Sequence, residues 1–475
     1  EITEHSLHYR WLDRQHNPVW IDCRGDVILD EFNKPLYLIG CVNEIGKRQK
    51  ADNISGLLRE PSLEEYVSSK SKNNITGYFM QIGIDDFEEI NGRFGLKCGD
   101  EILKQFSRCM QSCINENQKI YELGNGRFMI MDLVNHSKED ILELYDELKK
   151  SIEVALEENA YRMVYTISVG IVEIDKEMQD YDTLIKYSEF ALNEAKKKGK
   201  NSCYFFTQDK YKQFIRRREI RVELQNAVDH NFKNFDIYYQ PIIDIHTRNL
   251  IGAEALMRFK MKRNEQIEFV SPAEFISILE ESGLIIPAGR WILRQAVACC
   301  KKWQEFIPEF KMNVNLSYVQ IIKSSILDEI KQALKDYNLK PALLGIEVTE
   351  SGYLENTYHY KKLWSSLKEE GITLVLDDYG TGYSNAYRLS NLTPHYIKID
   401  RVLTQKALSS NYERSILIYI IEMAHSLKLN VCIEGVETEE ELQEIKKLNP
   451  DYIQGYLFGK PVPEDEFYNR QIKKK

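Results

Sequence analysis

Asp377 and Asp378 stand side by side in the stretch 374-LVLDDYGTGYS-384, where an apolar run meets a glycine-bracketed turn. Two adjacent carboxylates repel, and at the end of a buried strand neither is cheaply solvated. Polar groups recur wherever an apolar run of the C-terminal half stops: Gln240; Glu254 and Arg258; Asn315; Glu347 and Glu350; Lys398 and Asp400; Glu434 and Glu437; and Gln454. Taken singly, an Asp or Glu there has an ordinary reading as a helix N-cap or a solvated edge. Asn315 reads equally as a turn residue, and Lys398 as a snorkelling surface lysine. Jointly the set says more. Glu254, Asn315, Glu347 and Asp377 supply carboxylate and amide oxygens with no His or Cys among them. Hard oxygen ligands suit Mg²⁺ or Mn²⁺ rather than Zn²⁺. If Asp377 faces one cation and Asp378 helps to bind a second, the two acids can coexist. Paired metals ~3.5–4 Å apart are a common arrangement for phosphodiester hydrolysis.

These residues need elements to position them. Residues 208–475 show eight strand cores: DIYYQ (236–240), LIGAEALMR (250–258), KMNVNLS (311–317), LLGIEVTE (343–350), ITLVLDD (372–378), YIKID (396–400), LNVCIEG (429–435) and YIQGY (452–456). Amphipathic helical stretches such as PAEFISILEESG and RSILIYIIEMAHSLK separate most of them. This pattern predicts a β/α barrel, whose catalytic groups sit at C-terminal strand ends. Residues 52–206 interleave helical and strand-like runs, which predicts an α/β sheet domain. Residues 1–43 hold three strand-like runs divided by polar turns, which predicts an antiparallel meander.

Composition narrows the function. With 43% hydrophobic and 29% charged residues the chain reads as ordinary globular protein. A net charge of -10 argues against DNA or RNA polymers as partners. Nine scattered cysteines without a CxxC pair imply reduced thiols in a cytoplasmic protein. No apolar run reaches the ~20 residues of a membrane helix. The first residue is not Met, so the chain reads as an excised piece that leaves room for an upstream membrane anchor.

At this point a family resemblance is specific. Residues 208–470 resemble an EAL domain, the family of cyclic di-GMP phosphodiesterases. The naming tripeptide is Glu254-Ala255-Leu256. The other signatures are YQP (239–241), NVNLS (313–317), EVTES (347–351), DDYGTGYS (377–384), KID (398–400), EGVET (434–438) and QGY (454–456), in order and over nearly the full length. Tyr379 and His395 depart from the usual Phe and acid. The resemblance implies a (β/α)8 barrel that hydrolyses cyclic di-GMP to linear pGpG with two Mg²⁺ or Mn²⁺ ions. Glu254, Asn315, Glu347 and Asp377 would ligate metal, with Asp378 at the second ion. Lys398 would hold the attacking water or the scissile phosphate, and Glu434 would orient water or assist as base. Glu437 and Gln454 would complete the shell, and Gln240 and Arg258 would touch substrate. Glu350 and the loop 380-GTGYSNA-386 resemble the element that couples metal binding to dimerisation, so a homodimer is implied. A receptor that holds cyclic di-GMP without cleaving it is the alternative, against which the intact ligand set argues. The family is linked to biofilm, motility and adhesion.

Residues 52–206 resemble the GGDEF family of diguanylate cyclases, an α+β fold. The matching runs are DNISGLLRE, DDFEEINGRFGLKCGDEIL, SVGIVEI and AKKKGKN. The signature hairpin, however, reads 124-GNGRF-128, with Gly126 and Arg127 at its two acidic positions. The first Asp of the upstream D-x-D-x-F falls on Gly83, leaving Asp85. The inhibitory R-x-x-D reads Asn115-Glu116-Asn117-Gln118. Without metal carboxylates, phosphoryl chemistry on GTP loses its main charge stabilisation, so no cyclase activity is expected. Asn91 and Asp100 match guanine-contact positions and Lys196 and Lys200 match phosphate contacts. These four imply GTP binding, or equally are solvated helix and loop polarity. The first segment resembles the C-terminal strands of a PAS sensor domain. The implied order is a partial PAS domain at 1–50, a degenerate GGDEF domain at 51–207 and the phosphodiesterase at 208–475.

Overall fold

The computed structural model of the protein describes residues 52, 54–70, 75–134, 136–157, 164–175, 180–263, 265–349, 357–380 and 394–473. For residues 357–360 and for three strands before residue 46 it describes the backbone alone. The chain divides into two units, Glu1–Phe214 and Ile215–Lys475.

The three N-terminal runs form β1 (Glu4–Leu12), β2 (Pro18–Leu29) and β3 (Pro35–Ile45), paired antiparallel in that order. This is the expected meander. A second sheet follows, built from β4 (Leu58–Arg59), β5 (Gly77–Ile84), β6 (Gln118–Gly124), β7 (Arg127–Asp132), β8 (Ile167–Ile174) and β9 (Cys203–Phe205). Its order is β4-β6-β7-β5-β8-β9. Every residue of β5 after Gly77 is buried, as a central strand with both faces covered must be. Strand alternation sends Tyr78, Met80, Ile82 and Ile84 into one core and Phe79 into another. The helices Leu96–Cys113 and Lys138–Glu157 close the first core, and Glu60–Lys70 and Tyr181–Lys197 the second. The domain is thus a three-layer α/β structure.

The second unit is a closed barrel. Its strands are β10 (Phe235–Asp244), β11 (Leu250–Arg263), β13 (Lys311–Asn315), β14 (Leu344–Thr349), β15 (Thr373–Tyr379), β16 (Tyr396–Ile399), β17 (Asn430–Glu434) and β18 (Tyr452–Gln454). All eight expected strand cores are present. Two short strands, β12 (Gln266–Val270) and β19 (Val462–Pro463), pair outside this ring. One departure from a regular β/α barrel matters for the site. β10 runs antiparallel to both of its neighbours, β11 and β18, whereas the other pairs of the ring are parallel. β11 also continues past the barrel rim into a hairpin with β12. Gln240 and Glu254 are therefore mid-strand residues, not strand ends. Register still brings them together, since Gln240 stands opposite Glu254.

Below the mouth the barrel is apolar. Ile242, Val375, Tyr396 and Cys432 form a cluster inside the ring. Outside it, Trp303 stacks on Phe467 with ring centroids 4.7 Å apart, and both are fully buried. Truncating such an aromatic costs about 3–5 kcal/mol. Phe467→Ala should lower the unfolding free energy of the barrel by that amount. Equilibrium denaturation of the variant checks this, and a loss under 1 kcal/mol would contradict the packing described.

Candidate active site

The mouth of the barrel is organised around Lys398, which sits on β16 and is 1% exposed. Its Nζ lies 2.7 Å from Glu434 Oε1, 2.8 Å from Glu254 Oε2, 3.0 Å from Glu347 Oε2 and 3.4 Å from Asp377 Oδ1. Each acid arrives from a different strand: β17, β11, β14 and β15. Two amides fix Glu254 further. Asn315 Nδ2 donates to Oε1 at 2.7 Å, and Gln454 Nε2 donates to Oε2 at 2.7 Å. Gln454 also donates to Gln240 Oε1 at 3.0 Å. On the far side of the ring Asn313 Nδ2 donates to Glu347 Oε1 at 2.6 Å.

The DD pair is resolved by a bulge. Leu376 pairs with Ile397 and Tyr379 with Ile399, so Asp377 and Asp378 together stand opposite Lys398 alone. Asp378 takes the left-handed conformation, φ 56°, which breaks the alternation that would send neighbours to opposite faces.

Charge is out of balance here. Four carboxylates surround one ammonium, and Asp377 Oδ1 is buried without a hydrogen bond. Glu254, Glu347 and Asp377 each bring a carboxylate oxygen within 4.8 Å of the others. A hard divalent cation fits this triad. The titration behaviour has the same origin. Burial pushes Glu434 up to about 8, against the pull of Lys398. Burial and the charge of Glu254 raise Glu347, and burial raises Asp377. Burial and then Asp377 raise Asp378 to about 6. Glu254 is the exception. Burial raises it, but the Lys398 ammonium and the bonds from Lys398, Gln454 and Asn315 hold it below the ordinary value.

A cleft of about 250 Å³ opens on Lys398, Glu254, Asp377 and Glu434, lined also by Gln240, Leu256, Arg401, Glu437 and Tyr456. Arg401 pairs with Glu437 at 2.7 Å. Arg258 is absent from that cleft. It donates to Met257 O at 2.9 Å, lies over the Tyr238 ring and lines a larger cavity of about 630 Å³ shared with Asn315. Asp400 is the strand-end acid for which the ordinary reading holds, capping the helix Arg401–Ser409 through Val402 N. His395 accepts from Leu374 N through Nδ1, tying β15 to the start of β16. Glu350 and most of the loop 380–386 lie outside the described residues. Sequence reasoning missed Asn313 and Arg401. The alternation in 313-NVN-315 was a signal for the first, because it puts Asn313 on the same strand face as Asn315.

A model of the EAL domain family matches residues 221–461, half of the chain. The chain belongs to the EAL domain family. A second model, described as diguanylate cyclase, GGDEF domain, matches residues 50–202, which makes the chain a GGDEF–EAL tandem. The signaling protein YkoW of Bacillus subtilis is 30% identical over 399 residues, 83% of this chain and 48% of YkoW. The cyclic di-GMP phosphodiesterase PdeR of Escherichia coli is 27% identical over 470 residues, 96% of this chain and 68% of PdeR. The chain spans about half the length of several curated relatives that it matches. The EAL enzyme Bd1971, in its cAMP- and cyclic-di-GMP-bound form, superposes with a TM-score of 0.51 at 24% identity. That match covers 72% of this chain and 82% of the other, and it shows the fold. No helix among the described residues is long and apolar enough to cross a membrane.

In the GGDEF domain the surroundings of Gly83, Gly126 and Arg127 are as follows. Asn125 and Gly126 both have positive φ, 53° and 69°, and turn the β6–β7 hairpin. A Cβ on Gly126 would lie 2.7 Å from Phe87 Cγ, so no carboxylate fits there without moving that ring. Arg127 pairs with Glu189 at 2.7 Å. Lys196 lies over Gly83, where a Cβ would meet its Nζ at 3.1 Å. Asp85 accepts from Thr166, Ser168 and the Asn201 amide. Lys200 pairs with Asp86 at 2.6 Å. Asn91 Oδ1 is buried without a hydrogen bond, and Asp100 is half-buried.

The raised acids at the EAL mouth carry a stability consequence. Their folded-state values, about 6 for Asp378 and about 8 for Glu434, lie above the ordinary carboxylate range. The stability they contribute is complete below the unfolded values, roughly pH 4, and is lost as pH rises through the folded ones. In EDTA the thermal midpoint should therefore fall between about pH 5 and pH 8, and Mg²⁺ should raise it more at pH 8 than at pH 6. Calorimetric scans in which EDTA-treated protein gains stability over this range would contradict the arrangement.

Proposed function

We propose that the EAL barrel hydrolyses one phosphodiester bond of cyclic di-GMP to give linear pGpG. The observation that carries this reading is the convergence of Glu254, Glu347 and Asp377 on one point of the barrel mouth, beside an open cleft. The name of the relative PdeR supports the substrate.

Two Mg²⁺ or Mn²⁺ ions complete the site in this reading. Glu254, Asn315, Glu347 and Asp377 hold one, and Asp378 belongs to the other. When bound, such ions neutralise phosphate charge and lower the pKa of a nucleophilic water. The protein's own groups do the rest. Lys398 keeps four carboxylates in register, and its charge lies beside the reacting phosphate. Glu434, whose carboxyl is pushed up to about 8 by burial, orients water or assists as base. Gln240, Gln454 and Glu437 line the cleft and orient the dinucleotide. Arg258 contacts a part of the substrate that reaches toward the larger cavity.

Residues 1–50 form the closing strands of a PAS sensor, 51–207 a GGDEF domain without cyclase activity, and 208–475 the phosphodiesterase. GTP at Asn91, Asp100, Lys196 and Lys200 shifts the hydrolysis rate in a homodimer, with Glu350 and the 380–386 loop linking the site to the dimer interface. For that shift, GTP must bind the active and resting forms with different affinity. Protein incubated with cyclic di-GMP and Mg²⁺ should release pGpG. Glu254→Ala should lower turnover at least roughly 10²-fold with the fold intact. EDTA should abolish activity, and Mg²⁺ or Mn²⁺ but not Ca²⁺ should restore it, because calcium prefers more and longer bonds. Binding without turnover would favour a receptor. Chromatography after incubation with GTP should show no cyclic di-GMP, and its formation would overturn the reading of Gly83, Gly126 and Arg127.

A further inference from the structure

Asn313 is 2% exposed and lies on β13, inside the barrel and below the mouth. Its Nδ2 carries two hydrogens and meets two acceptors, Glu347 Oε1 at 2.6 Å and the Tyr396 hydroxyl. Both hydrogens are used, and this fixes the amide. The flipped amide would put its oxygen against the Glu347 carboxylate. With Nδ2 so placed, Oδ1 points at Gly345. A Cβ on Gly345 would collide with that oxygen and would lie 2.9 Å from Cγ of Asn313. The other atom it would approach is the Asn313 Cα, at 3.6 Å, which is ordinary contact. Gly345 has no positive φ, so the backbone there would accept alanine. The glycine is therefore required by the Asn313 side chain and by nothing else near it.

Glu347 is fully buried and has both oxygens engaged. Oε2 faces Lys398 at 3.0 Å, and Oε1 receives the Asn313 bond. Lys398 is shared among four acids, so it cannot by itself orient any one of them. Among the four acids, the Asn313 amide serves Glu347 alone. Tyr396, buried on β16, meets that amide from across the barrel interior.

We infer that Asn313, seated by Gly345 and Tyr396, is the positioning residue that presents Glu347 to a divalent cation. This rests on the reading of Glu347 as a metal ligand. Groups of this kind behind a ligand typically change metal affinity by about 10–100-fold when removed. Asn313 touches neither the cleft nor the substrate, so its effect should pass through the metal.

The test is Mn²⁺ titration of the full chain without nucleotide, followed by electron paramagnetic resonance of the unbound ion. Asn313→Ala should raise the Mn²⁺ Kd about 10–100-fold. At saturating Mn²⁺ it should recover kcat with KM for cyclic di-GMP unchanged, which a general packing defect would not allow. Gly345→Ala should give a similar rise, because it displaces the same amide. The double variant Asn313→Ala/Gly345→Ala should be no worse than either single one, since both remove one bond. Tyr396→Phe, which keeps the ring and the packing, should give a smaller rise in the same direction and covers the case that the alanine variants fold poorly. An unchanged Kd in Asn313→Ala and Tyr396→Phe, with Mn²⁺ binding lost in Glu347→Ala, would overturn the positioning role while leaving the metal site. Multiplied effects in the double variant would overturn it too. Unchanged binding in Glu347→Ala would instead remove the metal-ligand reading and the inference with it.

Discussion

Lys398 is enclosed by Glu254, Glu347, Asp377 and Glu434, each contributed by a separate strand, and it is essentially shut off from water. Removing one partner from a buried ionic set typically costs roughly 3–5 kcal/mol, because a charge is left without compensation. That constraint reaches through the barrel. Strands β11, β14, β15 and β17 must align with β16 so that their four acids reach its one ammonium. The bulge at Asp377-Asp378 is one result. Two residues of β15 face one residue of β16, and the strained φ of Asp378 is the local cost of placing two acids together.

The interior is layered in keeping with strand alternation. Apolar Ile242, Val375 and Cys432 fill the ring, and the polar set rises from the same strand faces two residues further on, as Gln240 and Ile242, Asp377 and Val375, Glu434 and Cys432 show. Because β10 runs the other way, its polar residue precedes its apolar one in sequence. Asn313 and Tyr396 stand between the layers, hydrogen-bonded to each other and, through the amide, to Glu347. Space for the asparagine comes from the missing side chain of Gly345. The mouth is thus acidic but not loose, since neutral amides hold Glu347 from beneath and Glu254 from the side.

Much of this was legible in the sequence because barrel strands advertise themselves twice. They read as apolar runs, and those lining the site stop at a charged residue, as in LVLDD and YIKID. What stayed hidden depends on pairing direction and on side chains that act one step behind the site. DIYYQ looks the same whether β10 is parallel or antiparallel, so Gln240 was placed at a strand end although it lies mid-strand. Arg258 follows the EAL tripeptide closely, but side-chain direction puts it over Tyr238 and toward the second cavity. Asn313 was overlooked because an asparagine within an apolar run shows no partner until β14 and β16 are in place. In the GGDEF domain Gly83 and Gly126 were readable as glycines at positions where the resemblance leads one to expect acids. The substitutes were not, since Lys196 over Gly83 and Phe87 against Gly126 are contacts across the fold.

The central claim is that the excess negative charge at the barrel mouth is a divalent-metal site. Diffraction from crystals of the full chain soaked in Mn²⁺, recorded at the manganese absorption edge, tests it most directly. The account predicts anomalous density bonded to the carboxylates of Glu254, Glu347 and Asp377. Manganese absent from that position in protein that binds it elsewhere, with Lys398 still enclosed by its four acids, would contradict the account.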